Sequence, residues 1–507
     1  MARPNAPTSF ARKLFATTSI DAMRDEKRPS VLRRALRARD LIAIGLGSMI
    51  GGGIFTTIGP GVRLAGPAIV LAFVLAGVCS FFAALCYAEL GAMVPIAGSA
   101  YTYAYATLGQ LVAWIIGFGL LFEYGISAAP VAQQFSAAFQ NVLRMAGVNL
   151  PAWAQTSHFI THGPWWDVTG WDFSHSQYDV VGAAFVLLLS LLLSLGIRET
   201  ATTNNVFVVL KILALVVFVI AAAPLFHPQN LVPFAPLGWG SLAPFSGGNG
   251  SGIIPAAALV FFSYIGFDAA TTTAEECRNP QRDVPVGVMG ALIIGTVIYC
   301  VTAIMLVGVV PWRQVDQNQA LAAAVAPLHN PFVNWAITIG VIAGTTSVAL
   351  ASLLGQTRIF YVMARDKMLP PVVAKIDARF KTPVLMTMIT GTAVAILTLI
   401  VPLDVLLDLV NIGTLSAFAI VCAGVLYLRK KRPELPRPFR VPFVPLFPIL
   451  GILSSAFLAI FGLTTLTWQR FIISLGVGLL IYFAYGFRHS RPELETIGVA
   501  DAEALEF

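Results

Sequence analysis

The chain is poor in charge. Asp, Glu, Lys and Arg make up 11% of its 507 residues, against about 25% in an ordinary soluble domain. So few charges cannot clothe a water-facing surface of this size. Histidine is scarce as well: five of the six fall in expected outer loops (His158, His162, His175, His227, His329) and His489 lies near the C-terminus. None stands where a mid-membrane proton relay or a buried zinc site would need it. The five cysteines (Cys79, Cys86, Cys277, Cys300, Cys422) show no metal-ligand spacing and read as reduced packing residues. No Ser-His, paired-Asp or His-Glu constellation lies at membrane depth, which argues against an enzyme. No nucleotide-binding loop is present, and no repeated filter residues of the kind a channel requires. The first 40 residues lack the apolar core of a signal peptide.

What the chain has is apolar length. Hydrophobic residues make up 57%, mean hydropathy is +0.79, and after residue 40 stretches of about 20 apolar residues recur with short polar interruptions. Spans are expected near 41–65, 67–90, 100–130, 180–197, 203–225, 251–274, 284–310, 331–357, 384–402, 404–428, 443–467 and 470–487. The expected fold is an all-α membrane bundle of about twelve helices. It divides into a basic N-terminal segment (1–40), one transmembrane domain (41–488) and a tail (489–507).

A net charge of +7 raises the question of nucleic acid, and the distribution of the basic residues answers it. With a cytoplasmic N-terminus, 27 of the 32 Lys and Arg fall on the cytoplasmic side. Arg63, Arg144, Arg313 and Arg470 fall outside, and Lys211 lies within a span. That asymmetry is the positive-inside signature, so both termini are expected in the cytoplasm and the partner is a lipid bilayer, not nucleic acid. The run Arg24 to Arg39 can also touch anionic lipid.

Two spans are irregular in matching positions. Span 1 holds Gly45-Leu46-Gly47-Ser48-Met49-Ile50-Gly51-Gly52-Gly53-Ile54-Phe55. Three successive glycines weaken a helix and expose backbone that lipid cannot satisfy, so a break facing a cavity is expected at Gly51 to Gly53. Close helix packing explains Gly47 and Gly51 but not the triple. Span 6 holds Phe261-Phe262-Ser263-Tyr264-Ile265-Gly266-Phe267-Asp268. These spans open two five-span halves, about 41–225 and 251–428. An odd number of spans per half inverts one half relative to the other, and paired irregular helices in inverted repeats mark a secondary transporter's site. N–H groups freed at one half-helix receive a carboxylate and carbonyls freed at the other receive an ammonium. A zwitterion such as an amino acid fits both.

At these residues the chain resembles the amino acid-polyamine-organocation superfamily, in particular its cationic amino acid transporter branch. The motifs that carry the likeness are Gly-Gly-Gly-Ile-Phe in span 1, Tyr-Ile-Gly-Phe-Asp and Ala-Glu-Glu in span 6, Asn279-Pro280-Gln281-Arg282-Asp283-Val284-Pro285, and Gly355-Gln356-Thr357-Arg358 to Met363-Ala364-Arg365-Asp366. The resemblance implies a leucine-transporter type fold, five plus five inverted spans with two more C-terminal helices at 443–487. It implies that the Gly52 and Gly53 amides hold the substrate carboxylate. The carbonyls of Met49, Phe262 and Ile265 would accept the ammonium, with the Phe262 ring as a lid and Ser263 beside it. Gly52 departs from the hydroxyl residue that the family often carries there, which leaves backbone contacts alone.

Ionisable residues at membrane depth are functional candidates. Lys211, about nine residues into span 5, lies about 13 Å deep. It either couples proton movement to conformational change or stands as a fixed cation bonded to carbonyls of spans 1 and 8. The resemblance places it where sodium-dependent relatives hold the ion. Glu123 in span 3 either faces substrate, directly or through water, or caps broken backbone. Asp268 is either a gate or proton-sensitive group, or a helix cap. Ser347, Ala351 and Ser352 of span 8 face the site on the family's plan, or pack the core. Tyr264 and Phe267 read as packing or gating aromatics, and Glu89, Glu275 and Glu276 as structural. A proton-coupled amino acid uptake carrier of the bacterial inner membrane is the leading expectation and an exchanger is the second. No cofactor or metal is expected.

Overall fold

The structure, a computed structural model, describes residues 36–93, 100–101, 104–105, 108–161, 171–195, 201–272, 277–377, 380 and 382–490. Most of the basic N-terminal segment, His162, Glu275, Glu276 and nearly all of the C-terminal tail lie outside the described residues.

Helices account for every expected span. They are α1 (Ala38–Met49), α2 (Gly53–Ala65), α3 (Ile69–Met93), α4 (Gln110–Met145), α5 (Val180–Ser194), α6 (Ala201–Ala222), α7 (Ile253–Val260) and α8 (Ala269–Thr272). The remainder are α9 (Pro280–Val309), α10 (Ala320–Val325), α11 (Pro331–Arg365), α12 (Val384–Ile400), α13 (Leu403–Lys431), α14 (Leu446–Gly462) and α15 (Thr465–Ile481). Among the described residues, eight stretches are long and apolar enough to cross a bilayer, and α5, α12 and α14 are shorter apolar helices. One of the eight, Gly53–Met93, runs through the tight turn Gly66–Ala68 and so contains both α2 and α3.

Span 3 differs from the expected 100–130. Gly109, at φ +96°, separates it from the residues before it, and α4 then runs 36 residues to Met145. Pro130 does not end it, because the surrounding bundle can tolerate one missing ladder bond. At 1.5 Å per residue α4 is about 54 Å long, more than the roughly 45 Å of a whole bilayer, so one end projects beyond the lipid. The expected loop at 140–179 thus starts after Met145, and among its described residues an antiparallel pair of strands forms, β1 (His158–Thr161) and β2 (Trp171–Gln177).

The packing has a two-fold character. α4 packs on α11, α3 on α9 and α5 on α12, so spans 3, 2 and 4 each meet the span five later. α6 lies on α11 as α13 lies on α4, and α1 lies on α9 as α7 lies on α3. A two-fold relation between two five-span halves generates this set. α14 and α15 stand outside it, against α13.

Helix faces sort by solvent. On α6, Val206, Val209, Leu213, Val216 and Ile220 are exposed at 3- and 4-residue spacing, a lipid-facing stripe. Lys211 falls on the opposite face and is 0% exposed, so its ammonium cannot snorkel to the membrane surface.

Candidate functional site

Span 1 breaks at Ile50–Gly52. α1 ends at Met49, Ile50 is extended, Gly51 has φ +137° and α2 restarts at Gly53. A Cβ on Gly51 would stand 2.5 Å from the Gly344 carbonyl oxygen of α11, so this glycine answers both a left-handed backbone and a backbone-to-backbone approach. Span 6 breaks through a tight turn at Phe261–Tyr264, an extended Ile265 and Gly266 at φ +107°, after which α8 begins. The two breaks touch. A Cβ on Gly53 would lie 2.6 Å from Ser263 Cα, and one on Gly266 would lie 2.7 Å from Ser48 Cβ.

Side chains fasten this junction. Thr57 Oγ1 donates to the Gly53 carbonyl at 3.0 Å and shares a 2.7 Å hydrogen bond with Ser263 Oγ. Tyr299 of α9 donates to the Ser263 carbonyl at 2.8 Å. Ser263 is therefore bound on both its side chain and its carbonyl. The Phe262 carbonyl accepts from the Ile265 amide at 3.2 Å, which uses one of its two lone pairs. Gly52 is wedged: a Cβ there would meet Val131 Cγ2 at 2.7 Å and Val348 Cγ1 at 2.8 Å. Ser352 lies one turn from Val348 and accepts from Ser127 Oγ at 3.2 Å. Phe55 borders a small pocket on the α2 side of the break, with Gln134 and Asn141 of α4 and Thr338 of α11.

Lys211 Nζ donates to the Gly47 carbonyl of α1, and to Ser347 Oγ of α11 at 3.0 Å. Ser347 in turn bonds the Gly344 carbonyl at 3.2 Å, so spans 1, 5 and 8 are joined at the Gly51 contact. Glu123 of span 3 and Asp268 of span 6 are each 2% exposed and near enough for their charges to interact. Thr414 of α13 lies near Glu123, its hydroxyl donating to the Val410 carbonyl at 3.1 Å, and Tyr124 and Arg358 lie near Asp268. The expected aromatics pack: Tyr264 donates to the Phe73 carbonyl at 2.7 Å, and Phe267 lies against Tyr87 and Phe418. Glu89 is an anchor, bound bidentately by Arg429.

The structure thus brings Gly51, Gly52, Gly53, Phe262, Ser263 and Ile265 to one junction, with Lys211 behind it and the Glu123–Asp268 pair beside it. Thr57, Tyr299, Val131 and Val348 were missed in the sequence. Their types are ordinary for a buried helix, and only the tertiary pairing singles them out.

A family model described as "Amino acid permease" matches residues 36–483. The chain belongs to that family. This amino acid permease, of the amino acid-polyamine-organocation superfamily, is a multi-pass membrane transporter and not an enzyme. It is 40% identical over 489 residues to the branched-chain amino acid permease BcaP of Bacillus subtilis (strain 168), covering 95% of this chain and 99% of that one. It is 36% identical to the methylthioribose transporter of the same organism, covering 94% and 98%. Cationic amino acid transporter 4, vacuolar, of Arabidopsis thaliana is 34% identical over 80% of this chain and 65% of its own.

Proposed function

We propose that this permease is a secondary carrier that takes up amino acids by alternating access, with the substrate held between the two breaks. The observation that carries the reading is the meeting of two interrupted helices, each with a positive-φ glycine and each in van der Waals reach of the other. In this reading the Gly51, Gly52 and Gly53 amides take the carboxylate and the carbonyls of Met49, Phe262 and Ile265 take the ammonium. Ser352 borders the side-chain compartment. The apolar walls at Val131 and Val348 favour a neutral aliphatic side chain, as the name of the B. subtilis branched-chain permease would lead one to expect. The proton travels with the buried carboxyl pair Glu123 and Asp268, and Lys211 links its movement to span 1. The carrier sits in the inner membrane with both termini cytoplasmic, and its division into 1–40, 41–488 and 489–507 follows from that topology.

One observation favours a second reading, an exchanger. Lys211 already has partners on spans 1 and 8, the arrangement of a fixed cation. Uptake into proteoliposomes separates the two. Labelled leucine, valine, arginine and lysine are offered with and without an inward pH gradient, and with and without internal amino acid, to the wild type and Lys211→Ala. Gradient-driven leucine uptake into empty vesicles, lost in the variant, is the expected result. Uptake that needs internal substrate and ignores pH would overturn the symport reading. Failure with every amino acid would overturn the substrate site.

A further inference from the structure

We propose that Asn411 is a positioning residue that holds the broken span 6 in shape, as the counterpart of Lys211 at the broken span 1. Asn411 lies in α13 within the apolar run Leu409-Val410-Asn411-Ile412 and is 0% exposed. A carboxamide in such a place is unfavourable unless its polar groups are used. Its Nδ2 donates to the Ala258 carbonyl at 2.7 Å and to the Leu259 carbonyl at 3.2 Å. These carbonyls sit at the end of α7, where the chain tightens into the Phe261–Tyr264 turn and the regular ladder to the fourth residue on is lost. Both amide hydrogens thus go to backbone at the α7 side of the break, where the Leu259 carbonyl is also reached by the Phe261 amide.

The acceptor half of the same side chain has no such role. Among the described residues, the buried Asn411 Oδ1 has no hydrogen-bond partner. Packing alone would favour a leucine, which fills the same space and carries no oxygen that needs a partner. What the position requires is the donor.

Lys211 does the matching work in the first half. It too is 0% exposed, lies in the last span of its half, and donates to a carbonyl, Gly47, just ahead of the break in the first span of that half. α6 lies on α11 as α13 lies on α4, so the two donors stand at related places in the packing. One is an ammonium and the other a neutral amide. The span 6 support therefore stays neutral whatever ion is carried.

The consequence for transport rests on the reading of the breaks as the substrate site, whereas the structural consequence does not. Hydrogen–deuterium exchange on the full-length protein in lipid nanodiscs tests the latter. Asn411→Leu should raise exchange over residues 258–266 at least tenfold and leave 45–55 unchanged, while Lys211→Met should do the reverse. Asn411→Ser, which restores a donor, should recover part of the protection and part of the leucine uptake rate. Exchange at 258–266 equal to wild type in Asn411→Leu, exchange raised evenly across the bundle, or a serine variant no better than leucine would each overturn the proposal. Loss of amino acid uptake in the wild type would sink the carrier reading and leave the exchange result to stand or fall alone.

Discussion

Glu89 offers the sharpest test of what holds span 2 to span 10. It stands near the end of α3, 2% exposed, and accepts from Arg429 of α13 at 3.0 Å and 2.6 Å and from the Val441 amide at 2.7 Å. Arg437 Nε lies 3.5 Å away as an ion-pair neighbour. Glu89→Gln keeps the shape and removes the charge, leaving two guanidinium groups facing a neutral amide. Breaking a buried pair by removing one partner costs about 3–5 kcal/mol. The Arg429 side chain is 25% exposed, and partial hydration of that kind trims the loss to about 2–4 kcal/mol. At about 2 °C per kcal/mol for a large domain, the unfolding midpoint of the purified protein should fall by about 4–8 °C. Arg429→Gln should do the same, and the double variant should fall by clearly less than the sum, with a coupling of at least about 1 kcal/mol. Strict additivity, or a Glu89→Gln midpoint within a degree of wild type, would refute the view that this carboxylate joins span 2 to span 10.

Other outcomes follow from contacts at the site and its periphery. Gly52→Ser should cut uptake at least tenfold by driving its Cβ against Val131 and Val348, an overpacking cost of about 1–3 kcal/mol. Val348→Ala in the same chain should restore part of it, and a double variant as slow as the single would show that the wedge is not the cause. Gly59 of α2 packs on the Gln317 carbonyl, with the Asp316 carbonyl also close, at 2.8 Å from a Cβ position. That loop is tied to α4 by Gln134 donating to the Asn318 carbonyl at 3.0 Å and Gln319 donating to the Ala137 carbonyl at 2.9 Å. Gly59→Ala should therefore undock it, read as faster labelling of a cysteine placed at Gln317, and unchanged labelling would refute the docking. Asp179, just ahead of α5, has its carboxyl pushed from 3.8 up to about 7 by burial, opposed by bonds from Ser136 and the Gly182 amide. A raised folded value means the native state keeps its proton longer than the unfolded chain. Stability is thus lost as pH rises from about 4 to about 7, by up to about 4 kcal/mol, and is flat above. Asp179→Asn keeps the cap on Gly182 and should flatten the melting midpoint across that window; a slope unchanged by the substitution would exclude Asp179 as its source.

How much of this could be read from the chain alone depends on how local each feature is. The break in span 1 was legible because three successive glycines are a residue-level fact, and backbone at φ +137° needs one of them whatever lies around it. Lys211 was legible for the same reason: a lysine nine residues into an apolar helix has nowhere to go. The bounds of span 3 were not legible: the helix begins at Gln110 and runs through Pro130 to Met145, where neighbouring helices support it across the missing bond. What the chain could not show is who meets whom. Gly344 meeting Gly51 and Thr57 meeting Ser263 are pairings between distant segments, set by how two halves pack. Asn411 lies between these cases. A lone carboxamide in an apolar span was as visible as Lys211, and the rule that flags charged groups in membranes covers it with equal force, since a buried amide without partners is also costly. The second half of an inverted repeat should then be searched for a donor wherever the first half shows one at its broken helix, and the donor need not carry a charge.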